Sequence, residues 1–151
     1  GSSPETVNLV NALSAARDRG IAIAETSHEE KGAYANLLRV TAAIDGRRRF
    51  VEGTIFGRED ARIVSIDGRP IEFRPRGVAI YVENDDVPGA VGLIGTILGG
   101  AGINIAEFAL SRREGGNGAV SVLSVDTAPP PDAVAALERA GPVRSVRVVQ
   151  W

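Results

Sequence analysis

Cysteine is absent from the 151 residues, so they can form no disulfide framework, thiol nucleophile or thiolate metal site. Histidine occurs once. His28 lies in the polar run His28-Glu29-Glu30-Lys31, which lacks the H-E-x-x-H spacing of a zinc site. A Ser-His-Asp triad would have to recruit that same residue from a polar loop, so no catalytic or metal residue is expected. No basic block stands out: 17 Lys and Arg are spread against 19 Asp and Glu, which argues against a nucleic-acid partner. No apolar run approaches the ~20 residues of a membrane span, and no secretory signal opens the chain. A membrane partner is therefore not expected, and the missing cysteine agrees with a cytoplasmic location. Methionine is missing even at position 1. The start Gly1-Ser2-Ser3 reads as a processed or recombinant end, and the chain as a piece of something longer.

What is present is the profile of a soluble globular protein, 44% hydrophobic and 24% charged, long enough for one ordinary domain or two small ones. Ser3-Pro4-Glu5 is a helix start, and Val7, Val10, Leu13 and Ala16 follow at helical spacing as far as Gly20. A short strand over 21–25 and a polar loop over 26–33 come next. Strands are expected over 37–44, 49–56, 61–66 and 70–73, with Asp45-Gly46 and Asp67-Gly68 as hairpin turns. Arg74-Pro75-Arg76-Gly77 punctuates the chain and divides it into domains 1–75 and 76–151. Beyond it the order is strand 78–84, helix 88–100, strand 103–112, strand 118–125, helix 131–140, strand 143–149. That is βαββαβ, the ferredoxin-like split unit. The fold class is therefore α+β: helix against a mostly antiparallel sheet, then a ferredoxin-like domain.

The stretch 77–111 is the most informative. Its acidic turn, Asn84-Asp85-Asp86-Val87-Pro88-Gly89, precedes a helix whose free N–H groups suit a carboxylate. Asp86 as a plain helix cap is the competing reading. Asn104 interrupts the apolar pair Ile103 and Ile105, and an amide there needs partners. Asn84, Asp86 and Asn104 are expected together near the N-terminal end of that helix, where they would suit a small zwitterion. Gly92, Gly95 and Gly99 line one helical face and are read as close packing of helix on sheet, or on a partner helix. No G-x-G-x-x-G follows a strand. Arg62, Arg69, Arg74 and Arg76 cluster around the second hairpin and the boundary, either as solvated charge or as an anion site between the domains. Trp151 reads as a packing anchor. The chain has the make-up of a sensor, not of a catalyst.

The segment from Asn84 to Asn104 resembles the ligand-binding part of an ACT domain. Val7-Asn8-Leu9-Val10-Asn11-Ala12, Val51-Glu52-Gly53-Thr54-Ile55-Phe56-Gly57 and Arg62-Ile63-Val64-Ser65-Ile66-Asp67-Gly68 resemble the intervening domain of long-form D-3-phosphoglycerate dehydrogenases. The resemblance implies a regulatory part of an enzyme that oxidises 3-phosphoglycerate with NAD for serine synthesis. NAD would be held by upstream catalytic domains, with no cofactor in this piece. It implies L-serine, or a similar small amino acid, bound at Asn84, Asp86, Val87, Pro88, Gly89 and Asn104 between two copies. The copies would pair through the edge strand 103–112. The family has tyrosine or histidine where Asn84 stands. It also implies an anion site at Arg62, Arg69 and Arg74, with Ser124 where a further basic residue is expected. An iron–sulfur L-serine dehydratase and a free-standing amino-acid regulator are the alternative parents.

Overall fold

The computed structural model describes residues 34–44, 47–112 and 115–151, with two further single positions, 14 and 18. The helix expected from Ser3, the strand over 21–25, the loop with His28 and the turn Asp45-Gly46 lie outside these residues.

Two four-stranded antiparallel sheets form within the compact unit Asn36–Trp151. The first has β1 (Leu38–Ile44), β2 (Arg47–Phe56), β3 (Asp60–Ile66) and β4 (Arg69–Phe73) in sequence order. Asp67 and Gly68 both take positive φ, 50° and 76°, the two-residue primed turn that matches the twist of the flanking strands. The second sheet holds β5 (Val78–Asn84), β6 (Ile105–Arg112), β7 (Ala119–Val125) and β8 (Val143–Gln150), in the order β6-β7-β5-β8. With α1 (Ala90–Gly100) and α2 (Pro131–Glu138) it completes the expected ferredoxin-like unit.

Most expected boundaries shift by one or two residues, and the two that flank α1 do so for a local reason. The helix begins at Ala90 and not at 88, because Gly89 takes φ 87°, a left-handed conformation outside the helix. The next strand begins at Ile105 and not at 103. Ile103 N–H donates to the Leu98 carbonyl at 3.0 Å and Gly102 N–H to Gly99 at 3.0 Å, so these residues close the helix C-terminus instead.

The second sheet is covered on both faces. Strand alternation sends Ile80, Val82, Leu123 and Val125 to one side, where they meet Ile94 and Leu98 of α1 and Ala133 and Leu137 of α2. Ala79, Val120 and Val122 point the other way and pack on Ile71 and Phe73 of β4. The order of layers is helices, second sheet, first sheet. Trp151 ties down the chain end: its ring lies 6.2 Å from that of Phe73 and its N–H donates to the Gly77 carbonyl at 3.0 Å.

The glycines of α1 do not pack on the sheet. A Cβ built at Gly92, Gly95 or Gly99 meets nothing within 4 Å, whereas Ala90, Ile94 and Leu98 fill the buried face. Periodicity put the three glycines on one face correctly; that face looks away from the sheet, so the helix-on-sheet reading is overturned. Leu98 is 0% exposed, and Leu98→Ala should cost about 2–5 kcal/mol in urea denaturation. Gly95→Ala should instead stabilise the folded chain by about 0.5–1 kcal/mol, since helix entropy improves and nothing is in the way. A loss of stability on Gly95→Ala would mean that this face is covered.

Candidate functional site

The acidic turn leaves the end of β5 and enters α1. No side chain caps α1, and no acidic residue stands in its first turn. The reading of Asp86 as a helix cap is thereby removed. Its carboxylate faces β6 instead, where Oδ1 lies 3.3 Å from Nε of Arg112. Asp85 is tied down separately, through an ion pair with Arg144 and an N–H donated to the Pro142 carbonyl at 2.7 Å. Val87, Pro88 and Gly89 are exposed. Asn84 is only 2% exposed. Its amide donates to the Asp85 carbonyl at 2.7 Å and its Oδ1 accepts the Ser121 hydroxyl at 3.4 Å. Asn84 therefore braces the turn from beneath.

Asn104 is not where the sequence reading put it. Asn84 pairs with Ala119 at one end of β7, and Ile105 with Val125 at the other. The crossover through α1 returns the chain to the starting end of β5, because β5 and β6 both run antiparallel to β7 and so run the same way. Asn84 and Asp86 thus sit at the N-terminal end of α1, and Asn104 at its C-terminal end. The two ends of a seven-residue strand lie about 20 Å apart. At its own end, Asn104 is exposed and donates to Asp126 Oδ2 at 2.8 Å. One chain brings Asn84 and Asp86 together and leaves Asn104 out.

Among the arginines, register brings Arg62 and Arg74 together around Asp60. Arg62 grips that carboxylate with Nε at 3.0 Å and Nη2 at 2.9 Å, and reaches Glu72 with Nη1 at 2.7 Å. Arg74 Nε donates to Asp60 at 3.2 Å. The hydrogen bonds from Arg62 hold the Asp60 carboxyl below its usual range. Arg69 stands beside the tight turn, at the other end of the hairpin. Arg74 and Arg76 line a cleft of about 540 Å³ between the sheets, opposite Glu107 and Ser124. Its walls carry both signs of charge.

Comparison with known proteins fits these observations. Residues 2–67 match the D-3-phosphoglycerate dehydrogenase intervening domain, and residues 78–142 match the ACT domain. The chain joins a phosphoglycerate dehydrogenase intervening domain to an ACT domain. Its relatives include the D-3-phosphoglycerate dehydrogenase of Methanocaldococcus jannaschii, 32% identical over 95% of this chain and 27% of the relative. That of Bacillus subtilis is 37% identical over 80% of the chain and 23% of the relative. That of Archaeoglobus fulgidus is 37% identical over 83% and 24%. The chain thus spans about a quarter of the length of these relatives, and its two domains fit the C-terminal regulatory part of that enzyme. Among the described residues there is no helix long and apolar enough to cross a membrane, and no group of His, Cys, Asp or Glu placed to hold a metal ion.

The ACT strand that carries the turn is anchored from the other sheet. Arg49 of β2 donates to Asp67 at 2.5 Å and reaches Tyr81 and Glu83 of β5 at 3.4 and 3.3 Å. Tyr81 donates to Glu83 at 2.8 Å. Neither Arg112 nor the Arg49 cluster was singled out from the sequence. The alternation Phe108, Leu110, Arg112, which ends level with Asn84, was the available signal for the first. Burial, and then the hydrogen bond to Glu83, push the Tyr81 phenol from 10.0 up to about 12. The folded chain thus holds this proton more tightly than the unfolded one. The resulting stability is fully present below pH 10 and is lost as pH rises through about 12. Tyr81→Phe should flatten that stretch of a stability-versus-pH profile. A wild-type slope in the variant would assign the alkaline loss to other groups.

Proposed function

We propose that this chain is the effector-sensing part of an NAD-dependent D-3-phosphoglycerate dehydrogenase. It binds L-serine, or a closely similar small amino acid, between two copies of its ACT domain. The observation that carries the reading is the division of the polar residues between opposite ends of α1, with an edge strand lying between them. Among the described residues the outer edge of β6 has no strand beside it, and Phe108 and Leu110 on its helix side remain 39% and 37% exposed. Antiparallel pairing of β6 with the same strand of a second copy, with the twofold axis between positions 108 and 109, would put position 105 opposite position 112. That arrangement carries Asn104 of the second copy toward Asp86 and the uncapped start of α1. The ammonium of an amino acid suits Asp86, and its carboxylate suits the N–H groups of the helix.

In the whole enzyme, catalysis and NAD binding belong to other domains; this chain has no G-x-G-x-x-G after a strand. The effector acts by binding one arrangement of paired ACT domains better than another, a preference typically worth about 1–3 kcal/mol. The named relatives favour a dehydrogenase parent over a dehydratase. A second reading rests on Arg74 and Arg76 in the cleft: an anion held there, with Arg62 neutralised by Asp60 and Glu72 and acting only as a brace.

Isothermal titration of the chain with L-serine, using glycine and L-alanine as controls, tests the main reading. Selective saturable binding by a dimer is expected. Asp86→Ala should weaken it roughly tenfold to a hundredfold, as loss of a hydrogen bond to a charged group does. Unchanged affinity would remove Asp86 from the site. Arg74→Ala should abolish phosphate binding and spare L-serine; loss of both would make the two sites one.

A further inference from the structure

Arg112 holds the residue that the effector ammonium is proposed to use, and nothing above gives it a role. It stands at the last position of β6, on the helix side of the sheet, as its strand neighbours Phe108 and Leu110 do. The bulge between Ile105 and Glu107 sets that parity. Nε of Arg112 lies 3.3 Å from Oδ1 of Asp86. The arginine side chain is 73% exposed, and among the described residues Asp86 is its ion-pair partner. The Asp86 side chain is itself 31% exposed beside it. A fork of N–H donors and a carboxylate oxygen therefore lie side by side at the mouth of the turn. Their signs are the complement of an α-amino acid, whose carboxylate and ammonium are joined through one carbon.

We propose that Arg112 is the specificity-determining residue of the effector site. It occupies Asp86 when no ligand is bound, and it grips the effector's carboxylate with its free N–H fork when the ammonium takes Asp86. The ligand class that follows is the α-amino acid zwitterion. A free amine lacks the group for Arg112, and a hydroxy acid lacks the group for Asp86. A planar fork matches a carboxylate through two parallel N–H donors, which a lysine ammonium does not reproduce. The inference rests on the effector reading above.

Titration of the folded dimer with L-serine and with L-serinamide, the same molecule with a neutral amide for its carboxylate, tests it. Arg112→Gln should weaken L-serine by about tenfold or more, toward the affinity wild type has for L-serinamide, with the helix N–H groups keeping the remainder. L-serinamide should bind Arg112→Gln no more weakly than it binds wild type. Arg112→Lys, which restores charge without the fork, should recover part of the loss. Unchanged L-serine affinity in Arg112→Gln would overturn the proposal. So would an equal fall for L-serine and L-serinamide, which would leave Arg112 only propping Asp86. Wild type that binds neither compound nor any other small amino acid would fail the effector reading itself, a different pattern from either.

Discussion

The structure depends on a sheet that cannot face water on either side. Strands β5 and β7 bury residues in both directions, so neither a layer of helices nor a layer of strands alone would satisfy them. Two helices cover one face, and β3 and β4 of the first sheet pack on the other, the layered solution that such strands require. The flanking strands β6 and β8 alternate or open outward, as edges do. The middle layer is therefore in contact with both the helix that starts at the acidic turn and the sheet that carries the arginines. Packed interiors transmit displacement because they have few voids to absorb it. The Arg49 cluster adds a polar tie between the layers, one residue before Asn84.

Much of this was legible in the sequence because local rules decided it. Asp67-Gly68 makes a primed turn whatever surrounds it, and the strands it joins follow from their alternation. The βαββαβ order was readable for the same reason. What escaped depended on the third dimension. Spacing places Gly92, Gly95 and Gly99 on one helical face but does not say which way the face looks. Asn104 follows the helix closely in sequence, yet an eleven-residue helix carries the chain about 16 Å back before the next strand begins. A polar residue on each side of a crossover helix lies at opposite ends of it, which separates Asn104 from Asp86. Likewise, Asn84 reads as an open amide in sequence. In the fold it points from the helix side of β5 into the buried layer, where Ser121 and the Asp85 carbonyl use its polar atoms. The Arg112–Asp86 contact needed the register of β6 against β7, and the bulge beside Ile105 sets that register.

This geometry gives the effector account its form. A ligand that must touch both groups of polar residues cannot be held by one chain, so on the proposed reading its site exists only in the dimer. Such a site reports on the arrangement of two subunits directly, which is what a regulatory module attached to a catalytic body requires.

The central claim, that each effector site is divided between two chains, is tested most directly by mixing two crippled variants. Asp86→Ala and Asn104→Ala chains are each titrated with L-serine, then mixed, allowed to exchange subunits and titrated again. A divided site predicts weak binding by either variant alone and a recovered population of wild-type affinity in the mixture, because a mixed dimer contains one undamaged site. Mixing that restores nothing, with subunit exchange verified in the same sample, would contradict the account and return the site to a single chain.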